Sequence, residues 1–285
     1  MNLTRKILVP LDLSRNSELV VETVEQLCSC KPEKIYLMHV IEAKLVERPV
    51  AGFDASKLVK ELEKQAMEKL EEYKKRLESR GASVEILEVE VGDPAEEIVI
   101  AATKVSANMI VMGYKGKGFL KRKLLGSVAD EVLEACAKPV LIVKWVEASR
   151  MKSLSPIIAT VKLGDPLDEK IIAYGEELAK ALGSKLILFH VMMDGEDRRR
   201  VEEELGSIAG AIASRGVDVE AIVWSGTPWV EILNAAKSVD AGLIIVGNDE
   251  CREKIDFKDI LFDFIRGSTV ENVVRRALSS VLVVI

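Results

Sequence analysis

The chain reads as α/β: two tandem doubly wound domains, each on a five-stranded parallel sheet. Three observations lead there: one pattern written twice, alternation of short apolar runs with amphipathic ones, and strands that are apolar on both faces. Residues 88–113 align without a gap on residues 222–247, with eleven identities in twenty-six positions, among them Gly92/Gly226, Pro94/Pro228, Ile98/Ile232 and Gly113/Gly247. Ser79-Arg80-Gly81 before Val84-Glu85 returns as Ser214-Arg215-Gly216 before Val219-Glu220. At 285 residues there is room for two cores.

In the first half, residues 6–11 form an apolar strand, Ser14 or Ser17 is placed to cap a helix running toward Cys28, and residues 34–41 form the second strand. Leu58, Leu62, Ala66, Leu70, Tyr73 and Leu77 fall on one face of a long helix that Gly81 ends. Residues 84–91 give a third strand, Asp93-Pro94 opens a helix, residues 108–112 give a fourth strand, Gly126 opens the last helix, and residues 140–143 close the half. The second half repeats the order: strand 156–161, helix to Leu182, strand 185–191, a helix bearing Val201, Leu205, Ile208 and Ile212, strand 217–224, helix, strand 243–246, a helix from Gly267, and strand 281–285. The expected domains are 1–146 and 156–285, with 147–155 as a polar linker.

The net charge of −6 gives no global pull toward nucleic acid or an anionic membrane, and neither is expected as a partner. Cys28, Cys30, Cys136 and Cys251 include no C-x-x-C pair and no zinc spacing, so they read as idle or buried thiols. The N-terminus lacks a signal-peptide pattern and no apolar run approaches the ~18 residues of a membrane span. A cytoplasmic location is expected. The two histidines, His39 and His190, end matching strands with no nucleophile partner nearby in sequence, which makes them scaffold residues.

The chemistry concentrates in residues 113–127, G-Y-K-G-K-G-F-L-K-R-K-L-L-G-S, between an apolar strand ending at Met112 and a helical pattern from Val128. Gly113 and Gly116 allow close backbone approach, while Gly126-Ser127 starts a helix with free N–H groups and a hydroxyl. Lys115, Lys117, Lys121, Arg122 and Lys123 add positive charge that no acid in the segment offsets. Phosphate is the expected guest. In a doubly wound sheet the crevice lies outside the carboxyl ends of the strands where their order reverses. There Asp12 could accept from an exocyclic amine or a ribose hydroxyl, or else cap the following helix. No G-x-x-x-x-G-K-[ST], no dinucleotide fingerprint after the first strand and no G-x-S-x-G is present, so these three chemistries lack support.

The order Gly113, two residues, Gly116, nine residues, Gly126-Ser127 resembles the phosphate loop of the universal stress protein family. That resemblance implies a Rossmann-like fold with strand order 3-2-1-4-5 and an adenine nucleotide, ATP or AMP, as ligand, with Mg²⁺ accompanying ATP. It implies adenine-side contacts at Asp12 and Val40, with Pro10 and Leu11 shaping the turn, ribose and phosphate contacts at Gly113, Gly116, Gly126, Ser127 and Val128, and Met112 as a further nucleotide-binding residue. Single domains of that family dimerise through their last strands. Residues 140–143 and 281–284 would therefore pair within one chain as an intramolecular pseudo-dimer, and a homodimer of whole chains would be a further step.

The second half departs from the pattern. Lys162 stands where Asp12 stands in the first, and the loop from Asn248 to Arg266 is seven residues longer, with six acidic and four basic residues before Gly267-Ser268. One intact site per chain is expected, with Gly267-Ser268 kept as a helix start. The expected function is a nucleotide-dependent switch or stress-response factor. The alternatives are a slow ATPase or adenylate hydrolase in the same pocket, for which no general base or nucleophile dyad is visible, and a nucleotide-free interaction scaffold.

Overall fold

A computed structural model describes residues 3–46, 55–114, 125–135, 137–147, 150–151, 153–248 and 268–285. The first half runs β1 (Lys6–Pro10), α1 (Ser17–Leu27), β2 (Lys34–Met38), β3 (Val40–Glu42), α2 (Ala43–Val46), α3 (Ala55–Glu78), β4 (Val84–Ile86) and β5 (Glu90–Gly92). It continues with α4 (Pro94–Lys104), β6 (Met109–Gly113), α5 (Ser127–Ala135) and β7 (Val140–Val143). At the junction β8 (Trp145–Glu147) and β9 (Arg150–Met151) pair antiparallel. The second half runs β10 (Ile157–Thr160), α6 (Asp168–Leu182), β11 (Leu186–Met192), α7 (Arg198–Ala213), β12 (Val219–Ser225), α8 (Pro228–Ser238), β13 (Leu243–Gly247), α9 (Thr269–Arg276) and β14 (Ser280–Val284).

Ten strands form one sheet in the order β12-β11-β10-β13-β14-β7-β6-β1-β2-β4. Each half has the order 3-2-1-4-5 with parallel neighbours. The halves meet where β14 pairs antiparallel with β7, Leu282 opposite Leu141. Both faces of this sheet are covered, which is why its strands are apolar throughout. One face packs under α1, α3, α6 and α7 through residues such as Val24, Leu70, Leu178 and Leu205. The other packs under α4, α5, α8 and α9 through Ile98, Val132, Ile232 and Val273. Glu177 on α6 adds a polar tie between the halves, accepting from Leu3 N–H at 2.8 Å and from the Thr4 hydroxyl at 2.7 Å.

Two first-half strands differ from the sequence reading. The second strand breaks at His39 and the third between Ile86 and Glu90; their outer pieces, β3 and β5, form a separate two-stranded sheet. His39 marks the break, its Nδ1 lying 2.6 Å from the Leu11 carbonyl at the end of β1. His190 makes the same contact to Val161 at 2.8 Å, so the paired histidines do tie strand ends together. Neither Ser14 nor Ser17 caps α1 as expected. Asn16 holds the cap position without a side-chain bond, and the Ser17 hydroxyl, one residue inside the helix, is drawn to Asp12. Asp93 does cap α4, accepting from Ala95 and Glu96 N–H. Among the free thiols described, burial pushes Cys30 up to about 11, in keeping with an inert role; Cys136 and Cys251 lie outside the described residues.

The repeated identities have local causes. A Cβ at Gly92 would stand 2.8 Å from Glu97 Oε1, and one at Gly226, where φ is +146°, 2.7 Å from Glu231 Oε1. Each glycine makes room for the glutamate that folds back over the start of α4 or α8. Gly242 is tighter still: a Cβ there would lie 1.8 Å from the Ser153 carbonyl oxygen, in the segment joining the halves. Backbone cannot swing aside like a side-chain tip. Gly242→Ala is therefore expected to cost about 3 kcal/mol of stability, measured as a lower urea midpoint; an unchanged midpoint would mean that the junction is not packed this way.

Candidate functional site

The strand order reverses at β1, which has β2 on one side and β6 on the other. The chain leaves β1 toward α1 on one face and leaves β6 toward α5 on the other, so the two connections diverge and leave a crevice. A cavity of about 460 Å³ occupies it. Pro10, Leu11 and Asp12 line it from the end of β1, Val40 from β3, Met112 and Gly113 from β6, and Gly126, Ser127 and Val128 from the start of α5. Nine of the ten positions read from the sequence thus share one cavity; Gly116 lies outside the described residues, as does the rest of 115–124.

Asp12 is placed by the turn after β1, where Leu13 takes a left-handed backbone (φ 56°). Its Oδ1 accepts from Ser14 N–H at 3.0 Å and from the buried Ser17 hydroxyl at 2.8 Å. Its Oδ2 is buried with no hydrogen-bond partner. An unsatisfied buried acceptor costs about 1–3 kcal/mol. One carboxylate oxygen thus organises the turn while the other is unused.

Across the cavity, the first bond of α5 runs from Asp130 N–H to the Gly126 carbonyl at 3.0 Å. Gly126 is therefore the cap position, and the N–H groups of Ser127, Val128 and Ala129 have no acceptor within the helix. These donors and the positive helix end suit an anion, each contact worth about 0.3–1 kcal/mol. Tyr114 holds this end in place. Its N–H donates to Val143 on β7 at 3.1 Å, and its carbonyl accepts from Gly126 N–H at 3.0 Å, so the start of α5 is held to the sheet. The Tyr114 ring is buried, edge-on to Trp145 at 6.1 Å and 3.7 Å from Lys144 Nζ.

A third wall was not legible in the sequence. Leu62, Gln65 and Lys69 of α3 and Asn16, Ser17 and Val20 of α1 also line the cavity. Lys69 bonds to Glu72 at 2.8 Å and pairs with Glu18 at 3.2 Å; these carboxylates push the ammonium pKa up, Glu72 foremost. The only signal was that Gln65 and Lys69 flank the apolar stripe of α3, where a polar side chain borders whatever that stripe covers. Among the described residues no group of His, Cys, Asp and Glu is arranged to hold a metal ion, and no helix is long and apolar enough to cross a membrane.

In the second half the described residues crowd the corresponding position. Leu163 repeats the left-handed turn (φ 59°), which aligns Lys162 with Asp12 as the sequence suggested. Lys162 Nζ reaches Asp165 at 3.4 Å, and Asp168, buried at the start of α6, accepts from the N–H groups of Lys162 and Asp165. Where the first half has Asn16 at the helix cap and Val20 four residues on, the second has Leu167 and Ile171. Both are buried, and a Cβ at Gly247, the counterpart of Gly113, would stand 3.0 Å from Ile171 and 3.1 Å from Leu167. Ser268 caps α9, accepting from Glu271 N–H at 3.1 Å, so this helix starts one residue later than α5 and uses its serine on itself. Gly267 and the loop before it lie outside the described residues.

This is a tandem doubly wound α/β protein with a crevice at a switch point, and comparison gives that class a family. The sequence profile of the universal stress protein family matches residues 4–144 and again 155–284. The chain belongs to the universal stress protein family. Two universal stress proteins of Methanocaldococcus jannaschii are each 37% identical to it. One match runs over 154 residues, 49% of this chain and 94% of the relative; the other runs over 152 residues, 50% and 84%. The crystal structure of a universal stress protein from Archaeoglobus fulgidus is similar over 99% of this chain and 98% of its own, with a TM-score of 0.78 and 26% identity.

His190 in the second half has both ring nitrogens engaged, Nδ1 with Val161 and Nε2 with Glu196 at 3.0 Å. Glu196 also accepts from Met193 N–H, and that bond, then the histidine, holds its carboxyl below the usual value. A depressed folded pKa adds stability that is present above the ordinary carboxylate range and lost as pH falls through the folded value. The stability gap between wild type and Glu196→Gln should therefore narrow as pH drops from about 6 to about 3, measured by urea melts; a constant gap would exclude an ionic contribution.

Proposed function

We propose that the chain binds one adenine nucleotide, ATP or AMP, in the first-half cleft, and that occupancy serves as a switch read by a partner in a stress response. The observation that carries this reading is the convergence on one cavity of two unmet demands of opposite kind. Asp12 lines one wall with Oδ2 unpartnered among the described residues, and the first α5 amides on the facing wall have no acceptor within the helix. An adenine nucleotide meets both, with an amine or ribose hydroxyl at Asp12 and phosphate at Ser127 and Val128. Membership of the family and the cationic run 115–123 support the choice of a phosphorylated ligand. Pro10, Leu11, Val40, Met112 and Gly113 would form the apolar and backbone walls, and Gly116 would join from the loop. Mg²⁺, where it accompanies ATP, would offset the phosphate charge.

In this reading residues 1–146 carry the site and residues 156–285 form a degenerate partner, joined by 147–155. The β7–β14 pairing would make the chain an intramolecular pseudo-dimer, doing within one polypeptide what two single domains do together. Binding without turnover follows from the chemistry at hand. Of the two described carboxylates that line the cleft, Asp12 and Glu42, Asp12 already accepts two hydrogen bonds on Oδ1 and is set to hold rather than to shuttle a proton.

Calorimetric titration tests the reading directly. Gly126→Asp places a carboxylate among the α5 amides and is expected to abolish ATP and AMP binding while the protein still melts cooperatively; unchanged affinity would reject the anion site. Asp12→Ala should lower the preference for ATP over GTP about tenfold while affinity for tripolyphosphate stays nearly constant. Equal loss for every ligand would remove Asp12 from the base-recognition role.

A further inference from the structure

The helix that would hold phosphate carries an acid in its own first turn, and the second half supplies the cation that faces it. Asp130 stands four residues after the Gly126 cap. A carboxylate there steadies the positive end of α5, but it also competes with any bound anion for that field. One helical turn is about 5.4 Å, so the carboxylate is within a Debye length of the free amides. Arg275, on α9 of the other half, reaches across the β7–β14 seam and places Nη2 2.8 Å from Asp130 Oδ2, with both side chains less than a third exposed. Its Nε lies 2.9 Å from Glu271 without hydrogen-bond alignment, so Glu271 shares the guanidinium but does not saturate it.

The repeat makes the asymmetry plain. Aligning Gly126-Ser127 on Gly267-Ser268 sets Asp130 against Glu271 and Glu134 against Arg275. At this one seam position a basic residue faces two carboxylates on α5, Asp130 and Glu134, and one on its own helix, Glu271. Burial holds the Glu134 carboxyl above its ordinary value, Asp130 and Glu131 push the same way, and Arg275 opposes them. Without Arg275 the seam would present uncompensated negative charge behind the anion-binding end of α5.

We infer that Arg275 is a positioning residue for the first-half site: by pairing with Asp130 it neutralises the acid beside the phosphate-binding amides, so the second half sets the anion affinity of the first. This rests on the nucleotide reading above. It gives the ligand-poor half a function in binding without a pocket of its own, and it names a contact through which loading at α5 can be felt at α9 and Ser268.

The test is calorimetry on the full chain with ATP, AMP and adenosine, three ligands that share a base and differ in charge. Arg275→Gln should weaken ATP roughly tenfold and AMP less, with adenosine unchanged. Arg275→Lys should keep most of the affinity. Asp130→Asn combined with Arg275→Gln should bring ATP back to near the wild-type value, which a role in packing alone would not do. If Arg275→Gln melts without cooperativity, Asp130→Asn alone decides: affinity for ATP should hold or rise, and a loss would overturn the inference. Equal weakening of ATP and adenosine, or a double variant no better than the single, would also overturn it while leaving the site intact. Wild-type protein that binds none of the three would instead reject the nucleotide reading itself.

Discussion

Tyr114 is the point on which the cleft depends. Its N–H is committed to β7, its carbonyl to Gly126, and its ring to the buried contact with Trp145 and Lys144. Tyr114 thus ties the Gly126 cap directly to β7, and the position of the α5 amides is set by the sheet. A helix start fixed to a buried strand is preorganised. It need not be ordered at the moment of binding, and the free energy of each amide–anion contact is then available to the ligand.

The two halves show how little separates a cleft from a filled core. They share strand order, a left-handed residue after the first strand and the histidine tie between strands one and two. What differs is side-chain volume and where the polar groups are satisfied. Asn16 and Val20 leave the first crevice open, whereas Leu167 and Ile171 close over Gly247. In the first half an aspartate oxygen has no partner; in the second, Asp168 takes the loop amides for itself and Ser268 caps its own helix. Among the described residues of the second half, the polar groups are satisfied internally. The second half then contributes through the sheet edge that β14 gives to β7 and through Arg275 at the seam.

Much of this was legible in the sequence because the signals are local or repeated. The strand order reverses where doubly wound repeats predict, and Asp12, Val40, Gly113 and Gly126 fall in one cavity because each ends a strand or begins a helix on the same edge of the sheet. The breaks at His39 and between Ile86 and Glu90 were not legible, because apolar residues continue through both and only the pairing of β3 with β5 separates them from the main sheet. Ser17 looked like a helix cap, since serine near a helix start commonly is one; its hydroxyl instead serves Asp12, a tertiary choice that no local pattern encodes. The α3 wall and the Asp130–Arg275 pair were invisible for the same reason: 145 positions separate the members of that pair, and only the folded seam brings them together.

One filled site for every chain is the central claim, and stoichiometry reaches it most directly. Native mass spectrometry of the intact protein titrated with ATP should show a single bound nucleotide that saturates at one per polypeptide, with no second adduct as the ligand rises further. Saturation at two would mean that the space beneath Leu167 and Ile171 opens to ligand, and the absence of any adduct would mean that the first-half cleft serves something other than a nucleotide.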